Sequence, residues 1–518
     1  MARILWLLIL LCAACNFVAS PSPTSTPADP PTQTPTETLS PTSTLALTLT
    51  PTSTPTATES PTITPTFTIT PTLTPAAPPT TTPRPVVGFL YDNWERFDGS
   101  GILNQLSAGM VAFVNFNNRE NVSGTPQPVN DTQTLYFVNP LTPGAPIPVA
   151  VTTGATGDQI YIAPSGDAVA YLRPAGSVQE SGEFRPSGLY VIDMQIGIDG
   201  RVLPITSLIQ QNIFSPPVWS PDGARLAIAL DSGYDLDIYA IGRDGSNPVN
   251  LTPHGAFDFY PAWSPDGRYL AFLSDRNTCP SWRPGEPGTC DGTGALPPFG
   301  GNVFVLDTVT GTVIQVGEQY VTEQPIFINA RTVAYAVGDP ILGDQGRAIW
   351  MGDIISGTEA PLQSVGANDL VKLSETFAPT GGLVFYQSAS DTSTELVVTT
   401  VDGREVGRSN AFTFSRYGIA ADFSPDGSRI AIGGRDGQCP YGALVLTSTL
   451  NVVTAASPPP SMCEPQYSPD GRYIAYTGIN PRVDGRVDVY VANSNGAYIG
   501  NLTSGLRGQI LLLGWAGR

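Results

Sequence analysis

The sequence predicts an all-β propeller of about eight four-stranded blades, with seven as the alternative if one weak repeat is not a blade. Three observations carry that reading. A phrase made of an aromatic residue, Ser-Pro-Asp-Gly and a short alternating run recurs at Trp219–Ile228, Trp263–Phe272, Phe423–Ile432 and Tyr467–Tyr476; a weaker copy, Ala163–Gly166, stands ahead of Ala168–Leu172. Pairs of short strand-like runs follow one another, and no stretch reads as a long amphipathic helix. After Ile510–Trp515 the chain stops partway into a further repeat.

The phrase reads as a hairpin turn. Pro221, Pro265, Pro425 and Pro469 preset φ for the second position of a tight turn. Asp222, Asp266, Asp426 and Asp470 can bond nearby backbone amides, and the glycine that follows accepts positive φ. Trp219, Trp263, Phe423 and Tyr467 close the strand before the turn, where a large ring fills the space between neighbouring sheets. After the turn, Tyr269 and Ala271 point one way and Leu270 and Phe272 the other, the period of a strand. One acid per turn, on separate sheets, keeps these aspartates apart, so they are turn-formers rather than a catalytic or metal cluster.

This phrase resembles the WD-type repeats of TolB-like β-propellers, across most of Val86–Arg518 and specifically in four copies. The resemblance implies the propeller. TolB-like proteins also carry an α/β domain before it, for which this sequence shows no counterpart, so no TolB partner is carried over.

Taken in order, residues 1–20 read as a signal. Arg3, the apolar run Ile4–Leu11 and Ala13–Ala14 precede Cys15, and the run is too short to span a bilayer. The ending resembles a bacterial lipobox, which implies lipidation of Cys15 as the new N-terminus. That pattern prefers Leu where Cys12 stands, which leaves simple secretion or an uncleaved anchor open. Residues 21–85 are Thr-Pro units with Ser and almost no charge, too poor in apolar area to fold. At about 3.1 Å per residue this stalk would extend on the order of 200 Å and suit O-glycans. The expectation is an exported, lipid-anchored protein that meets a membrane only through its N-terminal anchor.

Within residues 86–518 the second and third strands of each blade are expected at Met110–Phe116 with Thr134–Val138, Ala168–Leu172 with Leu189–Asp193, and Arg225–Leu230 with Asp237–Ile241. They continue at Tyr269–Ser274 with Asn302–Leu306, Thr332–Val337 with Ala348–Asp353, and Leu383–Gln387 with Glu395–Thr400. The last pairs are Arg429–Gly433 with Ala443–Thr447 and Tyr473–Thr477 with Asp488–Ala492. Outer strands such as Val249–Thr252 and Ile499–Thr503 follow. The half-repeat at Ile510–Trp515 should complete the blade that starts near Met110 and close the ring. Val86–Tyr91 reads as an extra strand without an assigned place.

A net charge of −19 and a pI near 4.3 exclude nucleic acid and electrostatic binding to anionic lipid, while suiting a self-repelling exposed domain or a cationic partner. Cys279, Cys290, Cys439 and Cys463 are disulfide candidates, Cys279 with Cys290 inside one long insertion and Cys439 with Cys463 between others. A zinc site is the rival reading, but the spacing is not CxxC and His254 is the sole histidine. His254 reads as a solvated loop residue. Asp231, Asp235 and Asp237 have the oxygen chemistry for calcium but not the EF-hand spacing, so they read as a solvated hairpin loop and no cofactor is assigned. No hydrolase elbow, P-loop, Rossmann fingerprint or sialidase-type Asp box is present, and the several histidines that metal-dependent propeller lyases use are missing.

What remains is loop geometry. The long insertions Asn117–Gln133, Arg173–Gly188, Asp275–Gly301 and Gly338–Arg347 all fall between second and third strands, so they crowd the face opposite the Ser-Pro-Asp-Gly turns. Trp282, Arg283, Phe299, Phe184 and Arg185 are binding candidates there, being of hot-spot type, although Trp282 serves equally well to pack its own loop. The expectation is a non-enzymatic module for a protein or glycan partner. The alternative is a glycoside hydrolase or lyase working through paired carboxylates in the channel, which needs no histidine. A spacer in a surface layer is the third reading.

Overall fold

The structure, a computed structural model, describes residues 92–116, 132–153, 160–173, 186–204, 215–231, 235–277, 300–338, 347–363, 371–389, 394–410, 419–434, 444–455, 461–479, 487–506 and 509–517. The chain divides into Met1–Ala76 and Ala77–Arg518, and every described residue belongs to the second unit. The signal and stalk expectations therefore lie outside the described residues.

Eight antiparallel sheets make the eight blades of a propeller. Given from the inner strand outward, blade 1 is Gln509–Ala516, Met110–Phe116, Thr132–Val138 and Ile147–Thr153. Blade 2 is Ile160–Ile162, Ala168–Arg173, Gly188–Asp193 and Ile198–Pro204; blade 3 is Val218–Trp219, Arg225–Asp231, Leu236–Gly242 and Val249–Asn250. Blade 4 is Asp258–Trp263, Tyr269–Ser274, Asn302–Asp307 and Val313–Gln315; blade 5 is Ile326–Phe327, Thr332–Val337, Ala348–Asp353 and Thr358–Pro361. Blade 6 is Val371–Phe377, Leu383–Ala389, Thr394–Thr400 and Glu405–Ser409; blade 8 is Cys463–Tyr467, Tyr473–Ile479, Val487–Asn493 and Tyr498–Asn501. Blade 7 has three strands, Ala420–Phe423, Arg429–Gly433 and Leu444–Thr447, and an isolated bridge from Leu446 to Val452 stands where the fourth would run.

The expected second and third strands are all present, most within two residues of their expected ends. The C-terminal strand closes blade 1: Met110 opposes Ala516 and Phe116 opposes Gln509. The extra strand is Asp92–Arg96, added to the outer edge of blade 2 through Asp92–Arg201 and Arg96–Ile198. The expected range Val86–Tyr91 lies outside the described residues. Two single-turn helical segments, Ser100–Leu103 and Leu106–Ala108, lead from there to Met110.

Each Ser-Pro-Asp-Gly turn is locked by its serine, a role the sequence reading gave to aspartate alone. Ser220 Oγ donates to Asp222 Oδ1 at 2.5 Å and accepts from Arg225 N–H at 3.0 Å, while Asp222 also accepts Ala224 N–H at 3.0 Å. Ser264, Ser424 and Ser468 repeat the pattern, bonding the amides five residues on at 2.8, 3.0 and 3.0 Å. All four serines are buried, and Gly223, Gly267, Gly427 and Gly471 follow at φ between 68° and 71°.

The rings at the strand ends bridge blades as expected. Trp219 Nε1 donates to Tyr161 O of blade 2 at 3.0 Å, and Trp515 Nε1 to Gln466 O of blade 8 at 3.0 Å. The core is correspondingly a series of clusters between successive sheets. One joins Ile228 and Leu226 to Ala170 and Val191; another joins Phe113 and Val111 to Ala475 and Val491. Such face-to-face burial, at roughly 25 cal/mol per Å² of apolar surface, holds the ring together.

Candidate functional site

Antiparallel neighbours fix where each connection emerges. First-to-second and third-to-fourth turns leave one face; second-to-third connections and the links between blades leave the other, the loop face. The binding candidates Trp282, Arg283, Phe299, Phe184 and Arg185 lie outside the described residues, as do Cys15, Cys279, Cys290 and Cys439. The flanks of their loops, Arg173 and Pro186, and Asn277 and Gly300, follow and precede strands at the loop-face end. Cys463 is disulfide-bonded, to a cysteine outside the described residues.

The inner strands set what faces the channel, and several are bulged. Tyr260, Ser374 and Glu464 have φ of 53°, 54° and 49°, at register breaks in blades 4, 6 and 8. Bonds to the neighbouring blade form at two of these bulges: Tyr260 N–H donates to Ser215 Oγ at 2.9 Å, and Ser374 Oγ accepts Ile419 N–H at 3.1 Å. Tyr467 N–H likewise donates to Asp422 Oδ2 at 2.7 Å.

Between blades 6, 7 and 8 these bulges leave a cavity of about 400 Å³, whose lining includes Ser374, Glu375, Asp422, Glu464 and Gln466. Its lining runs from Ile419, just ahead of the inner strand of blade 7, to Asp422 and Gln466, each next to last in its inner strand, so the cavity spans the depth of those strands. A smaller cavity of about 140 Å³ continues it towards blade 1, sharing Glu464 and reaching Ile510–Leu512.

The three carboxylates in this lining are held differently. Glu375 is clamped by Arg347, whose two terminal nitrogens donate to it at 2.7 and 2.8 Å, while Glu323 takes a second bond from Arg347 at 3.1 Å. Arg347 is only 4% exposed and its charge is spent on those acids. Asp422 accepts backbone bonds from Tyr467 and Phe423, and burial pushes its carboxyl up to about 6 against them. Among the described residues the lining has three acids and no Lys or Arg, which disfavours anions and suits hydroxyls or a cation. Asp422 can exchange a proton near neutrality, as general acid–base chemistry requires.

The loop-face end also buries ionic groups between blades 3 and 4, and here the structure corrects two sequence readings. His254 is half-buried rather than solvated. Burial first, and Arg276 second, bring its imidazole down to about 4. Asp235 and Asp237 are buried, not part of a solvated hairpin. Asp237 Oδ2 accepts Asn250 Nδ2 at 2.8 Å and Oδ1 accepts His254 N–H at 3.2 Å; Asn250 in turn accepts Thr252 N–H at 3.0 Å, and Thr252 Oγ1 accepts Ile238 N–H at 2.8 Å. Among the described residues no group of three or more His, Cys, Asp or Glu is arranged to hold a metal ion. The signal for this motif was present: Asp237 followed thirteen residues later by Asn250-Leu251-Thr252 recurs as Asp488 and Asn501-Leu502-Thr503.

No family model matches the chain. Among solved structures, it resembles an oligogalacturonate lyase from Vibrio parahaemolyticus at 12% identity, over 74% of this chain and 96% of that one, with a TM-score of 0.41. It also resembles dipeptidyl peptidase 4 from Porphyromonas gingivalis at 13% identity, over 80% and 62%, with a TM-score of 0.46. TolB from Acinetobacter baumannii matches at 15% identity, over 69% and 82%, with a TM-score of 0.31. Each is a likeness of fold and no more.

Proposed function

We propose that this chain is an exported propeller, lipid-anchored at Cys15 and raised on its Thr/Pro tract, that binds a protein or glycan through its loop face without catalysing a reaction. The observation that carries the reading is a coincidence of place. The channel cavity lined by Asp422 and Glu464 runs on, through Glu464, into a smaller one lined by Gly478 and Val487, at the end of the ring from which the second-to-third-strand connections leave. A rigid ring that gathers variable loops around a polar recess is built for recognition. Carboxylates there accept hydrogen bonds from sugar hydroxyls or from a basic side chain.

The test is saturable binding of the full chain to a polysaccharide array and to a panel of basic peptides. The expected result is one ligand class whose affinity drops at least roughly tenfold in Asp422→Asn together with Glu464→Gln, and when residues 278–299 are replaced by a short turn. Unchanged binding in both variants would refute the loop-face site.

A second reading, glycoside cleavage by the channel carboxylates, is favoured by one observation: Glu375, Asp422 and Glu464 line a single cavity, with Asp422 raised towards the range of a general acid. Product release from a bound glycan, lost in Asp422→Asn with binding retained, would select it.

A further inference from the structure

The second-strand tyrosines of blades 2, 5 and 8 stand in one register and meet different partners. In blade 2, Tyr171 opposes Tyr190 on the third strand, and Asp199, opposite Ile192 two residues on, accepts its hydroxyl at 2.9 and 3.1 Å. In blade 5, Tyr335 opposes Trp350, and Glu359, opposite Gly352, accepts the Tyr335 hydroxyl. In blade 8, Tyr476 opposes Tyr490 in the same way, but the fourth-strand residue opposite Ala492 is Tyr498. No carboxylate stands at that place. Tyr476 is fully buried, and its hydroxyl meets no hydrogen-bond partner among the described residues, a costly state for a buried donor. Tyr490 stacks on Tyr476 at 5.5 Å, and Tyr498, 45% exposed, leans on Tyr490 with ring centroids 6.2 Å apart and a tilt of 54°. Tyr476, Tyr490 and Ala492 pack towards Ala431 and Val445 of blade 7, whose fourth strand is reduced to an isolated bridge from Leu446 to Val452.

We propose that this step of three tyrosines is a separate binding site for a neutral sugar ring, on the outer wall between blades 7 and 8. Tyr498 swings outward and lays its face along the sugar's C–H groups, and the uncovered Tyr476 hydroxyl donates to a sugar oxygen. That oxygen takes the place that Asp199 and Glu359 fill in blades 2 and 5. The chemistry suits the ligand. An aromatic face is negative and attracts the positively polarised C–H bonds of a pyranose, while a phenol hydroxyl both donates and accepts. Charge selects among saccharides: the ionisable neighbours of Tyr476 are the phenols Tyr498 and Tyr490, and a protein of net charge −19 disfavours acidic ones. Tyr498 opens the fourth strand straight after the third-to-fourth turn, so the site lies towards the turn face and stands apart from the channel cavity.

The experiment is calorimetric titration of the full chain with neutral gluco-, galacto- and manno-oligosaccharides, with uronate oligosaccharides and proline-rich peptides as contrasts. It is run in the Asp422→Asn, Glu464→Gln background, which keeps the channel cavity out of the reading. One neutral saccharide should bind saturably, and Tyr498→Ala should weaken it roughly tenfold or more. Tyr476→Phe keeps the ring and removes the hydroxyl; it should weaken binding roughly three- to tenfold without lowering the thermal midpoint. Tyr498→Asp restores the acceptor that blades 2 and 5 carry, so it should abolish binding and raise the thermal midpoint, a rise that disappears when Tyr476→Phe is added. Absence of saturable binding, equal affinity in Tyr498→Ala, or a preference for uronates or peptides would overturn the site. A Tyr498→Asp midpoint that does not depend on Tyr476 would overturn it as well.

Discussion

The junction between blades 3 and 4 and the junction between blades 8 and 1 are built to one plan and used differently. In each, an aspartate on the third strand is tied to an Asn-Leu-Thr on the fourth, and a tryptophan ends the next inner strand. Asp488 accepts Asn501 Nδ2 at 2.9 Å and Thr503 Oγ1 at 3.0 Å, while Val489 N–H donates to Thr503 at 3.0 Å. Asp237 receives Asn250 in the same way, but Asp235 and Asp258 crowd it. Trp515 finds an acceptor across the junction in Gln466 O and stacks on Tyr473 at 6.5 Å. Trp263 lies under the Arg225 guanidinium at 5.2 Å, and its buried indole N–H meets no acceptor among the described residues. The same local motif thus meets different neighbours at the two places, since at one of them Asp235 and Asp258 stand against its aspartate.

The largest effect should come from covalent continuity. Blade 4 joins its inner and second strands through a locked turn at Ser264–Gly267, whereas blade 1 holds its inner strand by pairing alone. Ending the chain before Gln509 should abolish cooperative unfolding, read by near-ultraviolet circular dichroism and calorimetry. Ser264→Ala should cost only about 1–2 kcal/mol. Equal, small effects would break the distinction.

Next come the tryptophans. Trp515→Phe gives up a cross-blade hydrogen bond and should cost about 1–2 kcal/mol in denaturant unfolding. Trp263→Phe removes a donor that has no acceptor and should cost less than about 1 kcal/mol. The reverse order would mean that the indole bond to Gln466 contributes nothing.

Smaller again is the pair Asp488→Asn and Asp237→Asn. An amide at 488 has one acceptor where the carboxylate serves two donors, so about 1–2 kcal/mol should be lost. At position 237 the amide resembles the protonated carboxyl but does not titrate, so the change should be close to neutral near pH 4 and increasingly stabilising as pH rises towards about 8. Loss of stability at both sites and at every pH would erase the comparison.

The smallest and sharpest expectation concerns the pH profile of the whole molecule. The raised carboxyls Asp237 and Asp258 lose stability as pH climbs from about 4 to about 8 and to about 6 respectively. His254, held down to about 4, works the other way, adding stability as pH rises from about 4 to about 6.5. Between about pH 6.5 and 8, Asp237 alone of these three still titrates, so the thermal midpoint should decline gently there and stay level in Asp237→Asn.

The sequence by itself determined the architecture. A turn that needs Pro, Asp and Gly in fixed order, followed by a run with the period of a strand, is local chemistry, so the strand pairs and their turns could be placed along the chain. Ring closure was legible for a related reason: a strand ending in tryptophan with no second strand after it needs a partner, and Met110–Phe116 lacked one. Only the tertiary structure decided what each polar residue does. Whether Asp237 meets water or Asp258 depends on the packing of one blade on the next, and so does the burial of His254 in a link that looks solvent-bound in the linear text. The cavity at Asp422 is likewise assembled from three inner strands at least 40 residues apart, brought side by side by the ring and by no local preference. Local periodicity records how a strand lies in its own sheet; it carries no record of which charges the neighbouring sheet will place against it.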